Sequence, residues 1–141
     1  MTAKQYLRQV AQVERKIQII NEELEERRTR LTSTAAPVLG DKVQSTPRGD
    51  AFAAAIAAIA DKDIERQALV YKYELIRDEI VDQILALPNS FHAQVLYLRY
   101  IKHQTLKDVA DATHYSYTRI CHIHGQALAD FFRLYLQDDN K

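Results

Sequence analysis

The sequence predicts an all-α chain: a long antiparallel helical hairpin, coiled-coil-like, followed by a domain of shorter helices. Three observations carry this. Glycine and proline are scarce, three of each in 141 residues, which favours long helices over many-turned β structure. Apolar residues recur at spacings of three, four and seven over two long stretches. The chain-breaking residues are concentrated at 33–49 and at Pro88.

The first stretch, residues 3–32, carries Leu7, Val10, Ile17, Ile20, Leu24 and Leu31 on one near-heptad stripe. Its opposite face, with "NEELEERRTR", reads as solvated. Residues 33–49 hold two of the three prolines and two of the three glycines and read as a loop. Asp50 is placed to cap the next helix. From there to Leu87 the rhythm returns with Phe52, Ile56, Ile59, Val70, Tyr73, Ile80, Ile84 and Leu87, widened by Leu69 and Ile76. Two such helices joined by a loop pack antiparallel, with Ile17 and Ile20 expected near Val70 and Tyr73. The hairpin occupies 1–87. Its leftover apolar positions point to a homodimer.

Pro88 pushes Leu87 out of helical geometry, and Asn89 or Ser90 can cap a new helix carrying Phe91, Val95, Leu96 and Leu98. A second domain is expected over 88–137, with a tail at 138–141. Thr105 and Asp108 have the spacing of a capping box. Leu106, Val109 and Ala110 form the inner face of the short helix they open. After "DATHY", Ser116 caps a longer helix whose inner face is Ile120, Ile123, Ala127, Leu128 and Phe131. Two capped helices with a short break, and a small residue at 110 where they cross, spell a helix-turn-helix. Arg99 is expected to pair with Asp108, and Gly125 to allow close packing against the first helix of this domain.

Composition narrows the function. At 47% apolar and 27% charged residues, the chain can bury a core. A single cysteine excludes an internal disulfide framework and suits a reducing cytoplasm. No signal peptide is visible, and the most apolar run, "AFAAAIAAIA", falls short of the roughly 20 residues a membrane span needs. No membrane partner is expected. Basic and acidic residues number 19 each, so any nucleic-acid contact rests on a local patch with a shallow salt dependence. The sequence has no phosphate-binding loop, nucleophile motif or carboxylate pair, so it reads as a non-enzyme without cofactor. All five histidines follow Pro88. Cys121, His122 and His124 do not have metal-ligand spacing, because neighbours at one and two positions on a helix diverge.

Residues 87–131 resemble the promoter-reading region four of bacterial sigma factors. The likeness lies in "LP…VLYLRY", "TLKDVA", Ser116, Ile120 and "QAL". With "YLRQV…ERKI", "DKVQS" and "RYI", the chain is similar over most of its length to small phage-encoded, sigma-like transcription regulators, grouped with late-gene activators of phages and prophages of Gram-positive bacteria. It departs from that pattern at His114, often glycine there, at Leu106, commonly tryptophan, and at Asp108, usually glutamate. No segment is recognisable as the domain that melts the −10 element. The resemblance implies a regulator in the bacterial host cytoplasm. It would bind double-stranded promoter DNA and act with host RNA polymerase or its sigma factor.

In a helix-turn-helix the start of the second helix enters the major groove. Tyr117, Thr118, Arg119, His122 and Gln126 lie off the inner stripe and are the candidate base readers. Arg119 stands in the first turn, where a cation opposes the helix dipole by roughly 0.3–1 kcal/mol, and arginine can grip guanine with two hydrogen bonds. Lys102, Thr105, Lys107 and Ser116 are placed to hold phosphates. Two other readings share these elements: a small-terminase-like packaging subunit and a protein-interaction adaptor.

Overall fold

The computed structural model describes residues 1–35 and 47–137, and every element among them is helical. Helix α1 spans Ala3–Leu7, α2 Gln9–Ala35, α3 Pro47–Leu85, α4 Ser90–Leu96, α5 Leu106–Thr113 and α6 Tyr117–Tyr135, with a π turn at Tyr97–Ile101 after α4. No helix among the described residues is long and apolar enough to cross a membrane. The chain divides into two compact units, one of Met1–Val13 with Tyr73–Lys141, the other of Glu14–Lys72. The boundary expected at residue 88 therefore falls inside the first unit.

The larger core of that unit joins both of its chain segments. Ala3, Leu7 and Val10 are buried with Ile80, Ile84 and Leu87, and with Leu96, Tyr100, Ala127 and Phe131. The opening of the chain is fixed there by a capping box, Thr2 Oγ1 accepting from Gln5 N at 3.1 Å and Gln5 Oε1 accepting from Thr2 N at 2.9 Å. Tyr6 Oη then donates to Gln83 Oε1 at 2.9 Å. Where the sequence predicts one helix over 3–32, the structure has two, because Arg8 (φ −70°, ψ −11°) flattens the backbone between α1 and α2.

Asn89 is the residue that caps α4: its side chain accepts from Phe91 N and His92 N. The π turn that follows was not expected. Lys102 N bonds back to Tyr97 O at 3.1 Å, one residue further than an α-helix allows. The extra residue lets the neighbours Tyr100 and Ile101 both face the core, 4% and 5% exposed. Helices α4 and α6 are also tied by His92 Nδ1, 2.8 Å from Asp130 Oδ2. Arg133 reaches the other oxygen of Asp130 at 3.1 Å.

In the unit Glu14–Lys72, Ile20 and Leu24 are buried while Ile17 and Leu31 are half-buried. Glu23 is bonded to Arg27 at 2.9 Å. That bond, with Arg27, Arg30 and Lys62 nearby, holds its carboxyl below the usual range. Asp63 is lowered in the same way, by its bond to Arg66 first and by Arg28 among the weaker influences. These cross-influences join charges of α2 to charges of α3. Phe52 and Ile56, expected on the buried stripe, are 41% and 47% exposed.

The loop expected at 33–49 is shorter at both ends. Helix α2 continues to Ala35, and α3 already begins at Pro47. A proline fits the first helical position because its missing N–H has no partner to lose there. Asp50 therefore sits in the first turn of α3 and is not its cap. The rest of that loop, residues 36–46, and the expected tail at 138–141 lie outside the described residues.

Candidate nucleic-acid interface

The candidate surface is assembled from the inside outward. Val95, Val109, Ala110, Ile120 and Ile123 form a second small core, with Phe91, Leu98 and Leu106 packed against it. Burying those residues fixes which sides of α5 and α6 remain in solvent. Ala110 is 4% exposed, and its methyl group lets the two helices approach closely.

The ends of these helices are held by local hydrogen bonds. Thr105 Oγ1 accepts from Asp108 N at 3.1 Å, and Asp108 Oδ2 accepts from Thr105 N at 3.3 Å. At the other end, His114 takes the left-handed conformation (φ 62°, ψ 27°) and donates its N–H to Ala110 O. Tyr115 N bonds the same carbonyl at 3.2 Å. Ser116 Oγ accepts from Arg119 N at 3.2 Å and opens α6. Three residues thus separate two capped helices.

All five expected base readers, Tyr117, Thr118, Arg119, His122 and Gln126, are exposed on α6. His122 Nε2 and Gln126 Nε2 lie 3.2 Å apart, one turn from each other. The phosphate candidates Lys102, Thr105, Lys107 and Ser116 are also exposed. Thr105 and Ser116 use an oxygen lone pair in capping. Each hydroxyl proton remains available to donate.

Sequence reasoning missed Tyr115. It packs at a tilt against Phe91 (centroids 5.0 Å apart, planes at 46°), and the guanidinium of Arg119 lies 5.8 Å from its ring centroid. The ring restricts where Arg119 reaches, at an attraction of about 0.5–1 kcal/mol for an exposed cation–π pair. The only sequence signal was an aromatic residue directly before a helix cap.

Arg99 does not pair with Asp108. Its Nη1 donates to Gln104 O at 3.2 Å, and its guanidinium lies 5.6 Å from the Tyr100 ring. Asp108 is already engaged in the cap of its own helix. Gly125 is exposed, and a methyl group placed on it would meet nothing within 4 Å. Close packing is therefore not its role.

Cys121, His122 and His124 diverge as helix geometry requires. Cys121 bonds Tyr117, which pushes the Tyr117 phenol up, and His122 meets Gln126. His124 turns inward, 8% exposed, with Nε2 2.8 Å from Tyr100 Oη. Burial, aided by Arg99, Lys4 and Arg8, lowers the pKa of His124 to about 4. Among the described residues no group of three or more His, Cys, Asp or Glu side chains is placed to hold a metal. Comparison with family models, curated proteins and solved structures finds no match to this chain.

Proposed function

We propose that this chain is a sequence-specific DNA-binding regulator of phage or prophage late genes, sigma-like, working in the bacterial cytoplasm with host RNA polymerase and without catalysis of its own. One observation supports the reading above the others. Helices α5 and α6 are each capped at the start and joined through left-handed His114, and α6 presents a polar exposed side beginning with Tyr117, Thr118 and Arg119. That is the arrangement a helix-turn-helix needs to lay its second helix in the major groove. Arg119 and its neighbours would read bases; Lys102, Thr105, Lys107 and Ser116 would hold phosphates. The long helices α2 and α3 would form the antiparallel hairpin, which the charge influences between Glu23 and Lys62 and between Arg28 and Asp63 favour.

The test combines footprinting with transcription. Purified protein, host polymerase holoenzyme and a phage late-promoter template are mixed, with an unrelated promoter as control. Protection upstream of the phage promoter and altered transcript yield from that template alone are expected. Protection without any change in yield would remove the activator reading in favour of DNA packaging or simple occlusion. No protection at low salt would remove DNA binding and leave a protein-interaction adaptor.

A further inference from the structure

Within the unit Glu14–Lys72, α3 carries two stripes on opposite sides. One is half-buried and runs through Ala55, Ile59, Lys62, Arg66 and Leu69. The other stands in solvent and runs through Ala57, Ala60, Ile64, Ala68 and Tyr71, at spacings of three and four. Ile64 and Tyr71 are 65% exposed each. At 3.6 residues per turn this second stripe spans an arc of about 80°. A helix with apolar residues on two opposite sides fits burial on both sides, and no described residue of this unit covers the second one.

The stripe is built to match itself. Laid antiparallel against its own copy, Ile64 meets Ala68 of the second copy, and Tyr71 meets Ala60. Each large side chain faces a methyl group. The same register, within one residue, sets Asp61 beside Lys72 of the second copy. Both charges lie on one flank of the stripe, and a two-fold axis brings like flanks together. The contact is thus isologous and each pair occurs twice. The neighbouring charges are already matched inside the helix, Lys62 with Glu65 at 3.1 Å and Asp63 with Arg66 at 2.9 Å. Asp61 and Lys72 are exposed and make no ion pair with another described residue. Shape and charge therefore select the same partner in the same register.

We infer that α3 pairs antiparallel with α3 of a second copy of this chain through Ala60, Ile64, Ala68 and Tyr71, locked by Asp61 and Lys72, to form a two-fold homodimer. This deepens the regulator reading, since two copies would present two DNA-reading surfaces, but the pairing stands on α3 alone.

The experiment is size-exclusion chromatography with light scattering on the full chain, followed by dilution, with circular dichroism to verify helix content. The wild-type chain is expected at twice its 16.3 kDa mass. Ala68→Glu, a good helix former at an exposed site, should give a monomer of unchanged helicity. Asp61→Lys and Lys72→Asp, each placing like charges together, should dissociate at higher concentration than wild type. The double swap should restore the wild-type midpoint, which no merely local effect would do. A wild-type monomer, a larger ring, an Ala68→Glu dimer, or a double swap no better than the single ones would each overturn the proposal. Because the readout is mass, a chain that dimerises yet ignores DNA retires the regulator reading and leaves this pairing in place.

Discussion

Protonation of His124 should destabilise the fold by an amount that its position sets. The ring is 8% exposed and hydrogen-bonded to Tyr100 at 2.8 Å. Tyr100 is itself buried, which raises its phenol pKa and keeps it neutral. The positive charges of Arg99, Lys4 and Arg8 add to the burial that disfavours a charged ring. His124 thus has a folded pKa of about 4, against 6.5 for the ordinary side chain. With the folded pKa below the unfolded one, the unfolded chain binds the proton first. His124 adds no pH dependence above about pH 7.5. As pH falls through 6.5, stability should drop by about 1.4 kcal/mol per pH unit and level off near pH 4, a total of about 3 kcal/mol. Urea unfolding followed by circular dichroism at half-unit steps from pH 8 to 4.5 measures this. His124→Gln is the comparison, since an amide can still meet the Tyr100 hydroxyl but does not titrate. Carboxylates titrate in both proteins and cancel in the difference. The variant should lose less stability than wild type below pH 6.5, by the slope given. Parallel curves would refute the account of His124 as a buried neutral ring.

Ile20→Asp places an unpaired charge in a position 5% exposed and should lower stability by several kcal/mol, read as a lost or strongly lowered melting transition; an unchanged melting temperature would contradict the burial of Ile20. Gly125→Ala should stabilise by about 1 kcal/mol, because the added methyl meets only solvent; a drop in melting temperature would show a hidden neighbour. In fluorescence anisotropy, Arg119→Ala should weaken specific DNA by about 1–3 kcal/mol and relax preference at one base pair. Lys107→Ala should weaken specific and random DNA alike, and an equal loss on both from Arg119→Ala would make that residue a phosphate contact instead.

The sequence was most legible where local chemistry decides the outcome. Thr105, Asp108, Ser116 and Asn89 cap helices through bonds to residues two or three positions away, so their spacing alone announces them. The inward side of α6 was readable for the same reason, whereas the left-handed turn at His114 was suggested by the resemblance, whose pattern often has glycine there. Long-range partners were not. The π turn at 97–101 follows from how Tyr100 and Ile101 fit a core contributed by distant helices, and no local signal distinguishes it from an ordinary turn. Arg99 had an acidic residue at a plausible distance in sequence, but Asp108 was already used by its own helix. Gly125 looked like a packing glycine because glycine in a helix invites that explanation. Tyr115 became visible as part of the candidate surface only when Phe91 and Arg119 were seen on either side of it. The apolar stripe expected over residues 3–32 was correct in period, yet of its positions only Leu7, Val10, Ile20 and Leu24 are fully covered.

The placement of Leu7 and Val10 in one core with Phe131 has a consequence for how the molecule is made. As the chain leaves the ribosome, α1 emerges well before α6, which carries part of the surface it will cover. The contacts are of very high sequence separation, so the loop-closure entropy of the whole intervening chain opposes them. The local caps of α4, α5 and α6 can form early; the core that holds them together waits until α1 and α6 are both present. A fragment starting at Pro88 would keep every exposed side chain of the candidate interface and still lack Leu7, Val10, Ile80 and Ile84 beneath Phe131. Expressed alone, it would present that apolar floor to water and to its own copies.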